Sequence, residues 1–574
     1  MIQPDLIPIP LELPPEQRLL PVNNLSFLKN RIVLVLYEVS RLTLKYSLKN
    51  AMGAANLKTE LARDIRFSIE KLGGLLIKVG QLLSLRLDLF PAEICQELSK
   101  LQDRSYGFSL DYVRQIIQEE LGLPLERIFI EFEERPFAAA SISQVHRARI
   151  PSFPGVVAVK VQRPDVEEKF GQDLQLIRFL LSLIKKLKLQ SYVDWDNISL
   201  ELDQMIQEEI DYRYEASNLE RMTVTLREHN IYVPAVIGDY STKKVLTMEY
   251  IPGILMSDYI RAASTDPEYL EKILRLNNID PKLVGKRLFE SFFRQMLEDN
   301  LFHGDLHPGN VMLLRDSHIC LIDLGAIGSL DSHFLRYYRR SMQALGERDY
   351  DRALDYSLML CDSLPTGDIE NVKAQLIQCY RQWDAKMNIR SLSYHEKSIS
   401  SIGVQIGSVM RRNRVSSSWQ LLRVFRTWGL MDASLNYLVP NADYMSLVGG
   451  YFRGAVKRSQ LQLKQLGITE IVMQLTEKVA EFSDLTTIEL RGKAVRKRIV
   501  AEQKTSSKLA DKARKLLWLG IIVLAWIFLH QHLETAVSWL PPNQYSAWAK
   551  SVPNLAIEVW AGILIIWIYL LKIL

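Results

Sequence analysis

The sequence predicts an α+β fold with more than one core, and three observations predict it. The length, 574 residues, exceeds what one hydrophobic core organises. Short apolar runs rich in β-branched residues, VVAVKV, VLTMEY, VMLL and ICLI, read as strands in the middle of the chain. Stretches with helical periodicity surround them, among them KLGGLLIKVGQLL and DQMIQEEIDYRYEASNLERM. Hydrophobic content of 48% against 24% charged describes a folded chain, not a disordered one. The net charge of +5 is small for this length and excludes a general nucleic-acid role. Cys95, Cys320, Cys361 and Cys379 stand apart, without CxxC or zinc spacing, as thiols do when used as small hydrophobes in a reducing compartment.

The first 21 residues, MIQPDLIPIPLELPPEQRLLP, hold six prolines and no basic n-region, so they read as an extended arm and not as a secretory signal. An amphipathic stretch over Leu25 to Leu48 reads as a helix packing on the main body. From Lys71 to Pro91, Leu72, Leu75, Leu76, Val79, Leu82 and Leu83 form one helical stripe. Lys78 and Gln81 share a more polar side, and periodicity alone makes them solvated residues of a packed helix.

The chemistry concentrates in NLFHGDLHPGNVMLL, residues 300 to 314. Asp305 is followed five positions on by Asn310, and Asp323 comes after the strand-like VMLL and ICLI. Two carboxylates and an amide on the bends of a short hairpin suit kinase-type phosphoryl transfer. There Asp305 orients or deprotonates the acceptor hydroxyl, and Asn310 and Asp323 supply the hard oxygen ligands that hold Mg2+ on the phosphates of ATP or ADP. His303 and His307 read as structural, the first packing the loop and the second capping it or bonding a nearby carboxylate.

Such a site makes upstream demands. GVVAVKVQRP supplies Lys160 on a strand, to contact the phosphates. The preceding FAAASISQVHRARI places Ala138, Ala139, Ala140 and Ser141 where a phosphate-covering loop belongs; without GxGxxG, an ordinary protein-kinase loop is excluded. VLTMEYIPG, Val245 to Gly253, is a hinge candidate, with Glu249 as its cofactor contact. Glu208, Glu209, Asp211 and Glu215 crowd one helical segment. Like charges so spaced cost about 0.2–0.5 kcal/mol per pair on an isolated helix. A solvated face tolerates that, but buried cations such as Lys160 and magnesium give these acids partners.

These motifs, in this order from about Leu72 to Leu330, resemble the UbiB/AarF-like family of atypical kinases linked to isoprenoid-quinone biology. KVGQ resembles its KxGQ helix, AAASISQVH its alanine-rich loop, VAVKVQRP its strand lysine and EEIDYRYEASN its ExD element. HGDLHPGN and DLG resemble its catalytic loop and metal motif. The resemblance implies a two-lobed, protein-kinase-like fold, with a small β-rich N-lobe, a large helical C-lobe and a helical extension over the active site. It pairs Glu215 with Lys160 and makes Lys78, Gln81, Glu209 and Asp211 a regulatory gate where a protein substrate would bind. It also implies ATPase or small-molecule kinase activity, with protein phosphorylation weak or absent. The alanine methyls fit that, because they stand where glycines would let backbone approach phosphate. Gly304, Leu306, Leu324 and Ser143 depart from the family pattern, as does RSYGF after LSKLQD, and none of these removes a ligand.

The tail adds a membrane expectation. Ten Lys/Arg between Arg491 and Lys515 precede two apolar segments, Leu516 to Leu529 and Leu555 to Leu571. About 20 apolar residues span a hydrocarbon core. At 14 and 17 residues, the pair reads as membrane-inserted helices or as a hairpin lying in the interface. The basic run places the body on the cytoplasmic face, or its stromal or matrix equivalent. Two apolar C-terminal helices also occur in bacterial members of the family. The division expected is an arm and helix over 1–50, the KxGQ extension over 51–130, the N-lobe over 131–253, the C-lobe and its extension over 254–490, and the basic linker with its apolar helices over 491–574. From Asp331 to about Leu490 the chain reads as helical, with no chemical constellation.

The expected function is a membrane-anchored Mg-ATP-binding kinase or ATPase supporting quinone or prenyl-lipid metabolism. Its expected partners are nucleotide, a membrane lipid or prenylquinone precursor, and quinone-biosynthesis proteins, with no nucleic acid. A small-molecule kinase of the aminoglycoside- or choline-kinase type is one rival, although those families lack KVGQ and the alanine loop. A non-catalytic, ATP-dependent lipid-presenting scaffold is the other, since it would keep every ligand.

Overall fold

The computed structural model describes residues 57–84, 86–101, 107–139, 142–164, 166–186, 206–364, 369–387, 391–392, 394–440 and 442–465, with single positions at 200, 204 and 389 and scattered ones between 34 and 49. The N-terminal arm, Ala140, Ser141, the basic run and both C-terminal apolar segments lie outside the described residues. Among the described residues no helix is long and apolar enough to cross a membrane. The described positions between 34 and 49 are helical. There Glu38, buried, pairs with Arg41 at 2.7 Å and with Lys71 at 2.9 Å, which ties the segment to the next helix.

Helices α1 (Leu57–Leu72), α2 (Leu75–Leu83) and α3 (Ala92–Leu98) form the extension. Gly73 and Gly74, both at φ 63°, break α1 from α2 in a backbone region that side chains disfavour. On α2, a Cβ at Gly80 would fall 2.4 Å from Leu101 Cδ1, so this glycine lets the helix sit close to the chain that follows α3. The loop after α2 carries a buried bidentate pair, Arg86 to Asp88 at 2.9 and 3.0 Å.

Helices α4 (Leu110–Leu121) and α5 (Leu125–Ile128) lead into β1 (Glu131–Phe132), β2 (Ala138–Ala139), β3 (Ser143–Arg149) and β4 (Val157–Gln162). Then come α6 (Val166–Lys186), α7 (Tyr212–Arg227), β5 (Ile231–Tyr232), β6 (Val245–Glu249) and β7 (Ile254–Leu255). One antiparallel sheet runs β1-β3-β4-β6 with β2 on β3, and it is the body of the N-lobe. Strand β4 is buried along its whole length. Its alternation sends Val157, Val159 and Val161 into a core with Val113, Ile116 and Ile117 of α4. Ala158, Lys160 and Gln162 therefore face the other way. Two side-chain clasps fix this sheet to its surroundings. Gln144 on β3 takes both backbone groups of Phe108, and Gln162 donates to the Ile210 carbonyl at 2.8 Å.

The C-lobe continues through α8 (Met256–Thr265), α9 (Pro267–Leu276), α10 (Pro281–Leu297), β8 (Phe302–His303), β9 (Val311–Leu313), β10 (Ile319–Leu321) and β11 (Ile327–Gly328). Its helices are α11 (Ser332–Gly346), α12 (Tyr350–Leu358), α13 (Ile369–Met387), α14 (Tyr394–Lys397), α15 (Ile399–Arg412), α16 (Trp419–Leu438) and α17 (Tyr444–Gln465). The short strands β12 (Cys361–Ser363) and β13 (Ser416–Ser417) pair among them. A second sheet, ordered β5-β10-β9-β7, carries the β9–β10 hairpin. Trp428 of α16 packs edge-on against Phe289, Phe292 and Phe293 of α10 and anchors the late helices to the lobe's core. The fold is the α+β, kinase-like arrangement the motifs implied.

Candidate active site

Lys160 is the pivot. Its Nζ meets Glu215 Oε1 at 2.9 Å and Oε2 at 2.8 Å, and Asp323 Oδ1 at 3.6 Å. It also lies 5.3 Å from the centroid of the Tyr212 ring, within cation–π range. Burial opposes charge on the lysine, but Asp323 and Glu215 outweigh it and hold the ammonium well above its ordinary range. Lys160 in turn holds the Asp323 carboxyl below its usual range, against partial burial, and Lys78 adds to that pull. Burial pushes the Glu215 carboxyl up to about 7, so Asp323 is the acid held ionised here, and its side chain is 49% exposed. A divalent cation fits there.

The hairpin brings the remaining ligands near. In β9 and β10, Val311 opposes Leu321, and beyond them the Ile322 amide donates to the Asn310 carbonyl at 3.0 Å. Asn310 and Asp323 thus flank one end of the same hairpin. Among the described residues no group of three or more His, Cys, Asp or Glu could hold a metal. Magnesium does not need one, because it takes one or two carboxylates and completes its shell with phosphates and water. Asp323 stands at φ 57°, and its turn is braced from α7, where Asn218 donates to the Leu324 carbonyl at 3.1 Å.

Asp305 is held on every side. His303 Nδ1 accepts its amide at 3.2 Å, Asn310 Nδ2 donates to its carbonyl at 3.0 Å, and Arg426 of α16 reaches its Oδ1 at 3.1 Å. His303 is fully buried, and burial pushes its imidazole below the ordinary value. His307 caps the Pro308–Asn310 turn by accepting the Gly309 amide at 3.0 Å, so it serves as a cap and not as a carboxylate partner.

Of the four gate residues, the structure joins two. Lys78 Nζ meets Glu209 Oε1 at 3.0 Å. Gln81 turns instead to the Leu101 carbonyl at 3.1 Å, inside the extension. Asp211 is the N-cap of α7, accepting the Arg213 amide and pairing with its guanidinium at 2.6 Å, because the helix leaves its first amides without partners. The Glu249 carboxylate accepts from the Tyr232 hydroxyl at 2.6 Å and from the Ala235 amide at 3.3 Å. Ala138 and Ala139 lie on β2, opposite Val145 and Gln144.

Motif reading missed Asn218 and Arg426. Asn218 was within reach, since it shares a helix face with Glu215 three residues earlier. Arg426 carries no sequence signal, being 121 residues from its partner on a helix whose amphipathic pattern reads as packing alone.

Residues 100–357 match the family described as the ABC1 atypical kinase-like domain. The chain is 30% identical over 420 residues to the protein ACTIVITY OF BC1 COMPLEX KINASE 7, chloroplastic, of Arabidopsis thaliana, covering 73% of this chain and 57% of that one. It thus spans little more than half of that relative's length. It is 31% identical over 392 residues to the probable protein kinase UbiB of Histophilus somni, covering 66% of this chain and 68% of the other. Among solved structures, a complex of Rv3197 with erythromycin from Mycobacterium tuberculosis aligns at 24% identity and a TM-score of 0.40, covering 65% of this chain and 94% of that one.

Proposed function

The chain belongs to the ABC1 atypical kinase-like family, and on that premise we propose that it is a membrane-anchored Mg-ATP-dependent phosphoryl-transfer enzyme or ATPase in isoprenoid-quinone or prenyl-lipid metabolism. One observation carries the reading: Lys160 bridges Glu215 and Asp323 at the mouth of the β9–β10 hairpin. Asp323 and Asn310 would hold magnesium, whose charge, when bound, neutralises the nucleotide's phosphates. Lys160 would bind the phosphates, kept in place by Glu215. Asp305 would orient the acceptor hydroxyl or water and take its proton.

The alanine methyls of β2 favour an ATPase or a small-molecule kinase over a protein kinase, because a Cβ keeps backbone amides from closing on phosphate. The basic run and two apolar segments after residue 490 support anchoring, with the body on the cytoplasmic, stromal or matrix face. The name UbiB carried by the bacterial relatives supports the quinone link. Its partners under this reading are nucleotide, a membrane lipid or prenylquinone precursor, and quinone-biosynthesis proteins.

The test is ATP turnover by full-length protein in liposomes, native against Asp323→Asn, with Mg-ADP binding followed by thermal shift. The substitution is expected to abolish turnover and the magnesium-dependent part of the shift. An unchanged rate removes this site from the reaction.

A further inference from the structure

The region from Asp331 onward offers no motif, yet it reaches the centre of the site. Helix α16 touches the catalytic loop with two successive residues. Thr427, fully buried, donates to the Gly304 carbonyl at 3.0 Å, and Arg426 donates to Asp305 Oδ1 at 3.1 Å. The loop's own side chains, His303 and Asn310, hold only the backbone of Asp305. The orientation of its carboxylate is set from outside the loop. The Arg426 and Asp305 side chains are 26% and 30% exposed, so the contact is open to solvent and to a small acceptor.

We infer that Arg426 is a positioning residue for phosphoryl transfer: it holds Oδ1 of Asp305 and leaves Oδ2 directed to the acceptor's proton. The inference rests on the phosphoryl-transfer reading above. A guanidinium suits the task because it stays charged and presents its donors in a rigid fork. Thr427 fixes the helix against the same loop, which sets the distance over which that fork must reach. Among the described residues Arg426 bonds Asp305 and not Lys160, Asn310 or Asp323, so its loss should leave nucleotide binding alone and slow the chemical step.

The experiment uses the full chain in liposomes and compares native protein, Arg426→Gln, Arg426→Lys and Asp305→Asn. Mg-ADP thermal shift serves as the binding readout, and melting temperature without nucleotide as the folding readout. Arg426→Gln is expected to lower kcat by about 10- to 100-fold, the scale of a misplaced catalytic group, with the KM for ATP and the Mg-ADP shift held within about twofold. Arg426→Lys is expected to recover part of kcat, since it restores the cation without the fork. A kcat for Arg426→Gln equal to or above native overturns the inference, as does a rise in KM at constant kcat. A lysine variant no better than glutamine, with both melting well below native, assigns Arg426 to folding and overturns it too. Native turnover that is lost in Asp305→Asn but untouched in Arg426→Gln sinks this inference alone, whereas no Asp305-dependent turnover in native protein sinks it together with the proposed function.

Discussion

His303 and His146 show how single residues tie the site to pH. His146 lies buried in the sheet, with Nδ1 donating to the Glu133 carbonyl at 2.7 Å and Nε2 left to accept from Gln144 at 3.0 Å. His303 is buried under the catalytic loop, and its Nδ1 is occupied by the Asp305 amide, which leaves the proton on Nε2. Burial lowers both imidazoles below their ordinary value. Unfolded histidines titrate near 6.5, so below that pH the unfolded chain binds more protons than the folded one. The two imidazoles are therefore expected to lose stability as pH drops from 7.5 to 5.5, by at most about 1.4 kcal/mol per pH unit each, while Glu215, which burial pushes up to about 7, opposes part of that fall. Melting temperature against pH measures it. His303→Asn, whose Oδ1 can accept the same amide, should flatten the slope, and an unchanged slope assigns the effect elsewhere.

At the scale of elements, α7 organises the site from one face. Its N-cap is Asp211, its first turn carries Glu215, and one turn later Asn218 grips the Leu324 carbonyl. Lys160 and the Asp323 turn thus lean on the same helix. Asn218→Ala is expected to cost about 1–3 kcal/mol for the carbonyl left without its donor, and to weaken Mg-ADP binding while Lys160 and Glu215 keep their pair. Thermal shift with and without Mg-ADP reads both effects. Asp305, Asn310 and Asp323 were legible because the chemistry fixes their types at short spacings, and Lys160 because it ends a β-branched run. Glu215 needed the family resemblance, since four acids in that segment compete for the lysine. Asp211 bonds at its own helix end and Gln81 inside the extension; the sequence did not indicate these partners, because no spacing reveals which polar group a helix end will use. The strand alternation around Lys160 was visible in GVVAVKVQRP, whereas the clasps by Gln144 and Gln162 depend on partners from other elements.

At the scale of the whole molecule, the extension is fastened to the latest helices and not only to the N-lobe it follows. Arg86 and Asp88 form a buried pair that also bonds Ser416 and Ser417 of β13, and Arg411 of α15 donates to the carbonyls of Leu87 and Phe90. At Gly407 on α15, a Cβ would fall 2.4 Å from Leu87 Cβ, so the two segments are in close contact. On the opposite side, Lys78 reaches Glu209. Arg86→Met strands the buried carboxylate of Asp88, a change that costs about 3–5 kcal/mol in buried pairs. The variant is expected to melt earlier and to be cleaved within residues 84–101 under limited proteolysis that spares native protein. An unaltered digest places the fastening elsewhere. Nothing in LSLRLDLFP foretold this, because its partners lie more than three hundred residues away.

The grip of α16 on Asp305 also sets an order in time. The two partners are 121 residues apart, and ribosomes add about 5–20 residues per second, so roughly 6–24 s pass between their syntheses. For most of that interval, once Asp323 has been added, a nascent polypeptide carries every recognisable kinase signature yet lacks the guanidinium that meets Asp305 Oδ1. Under the positioning role proposed for Arg426, a chain still short of α16 would process nucleotide about 10- to 100-fold more slowly than the finished one.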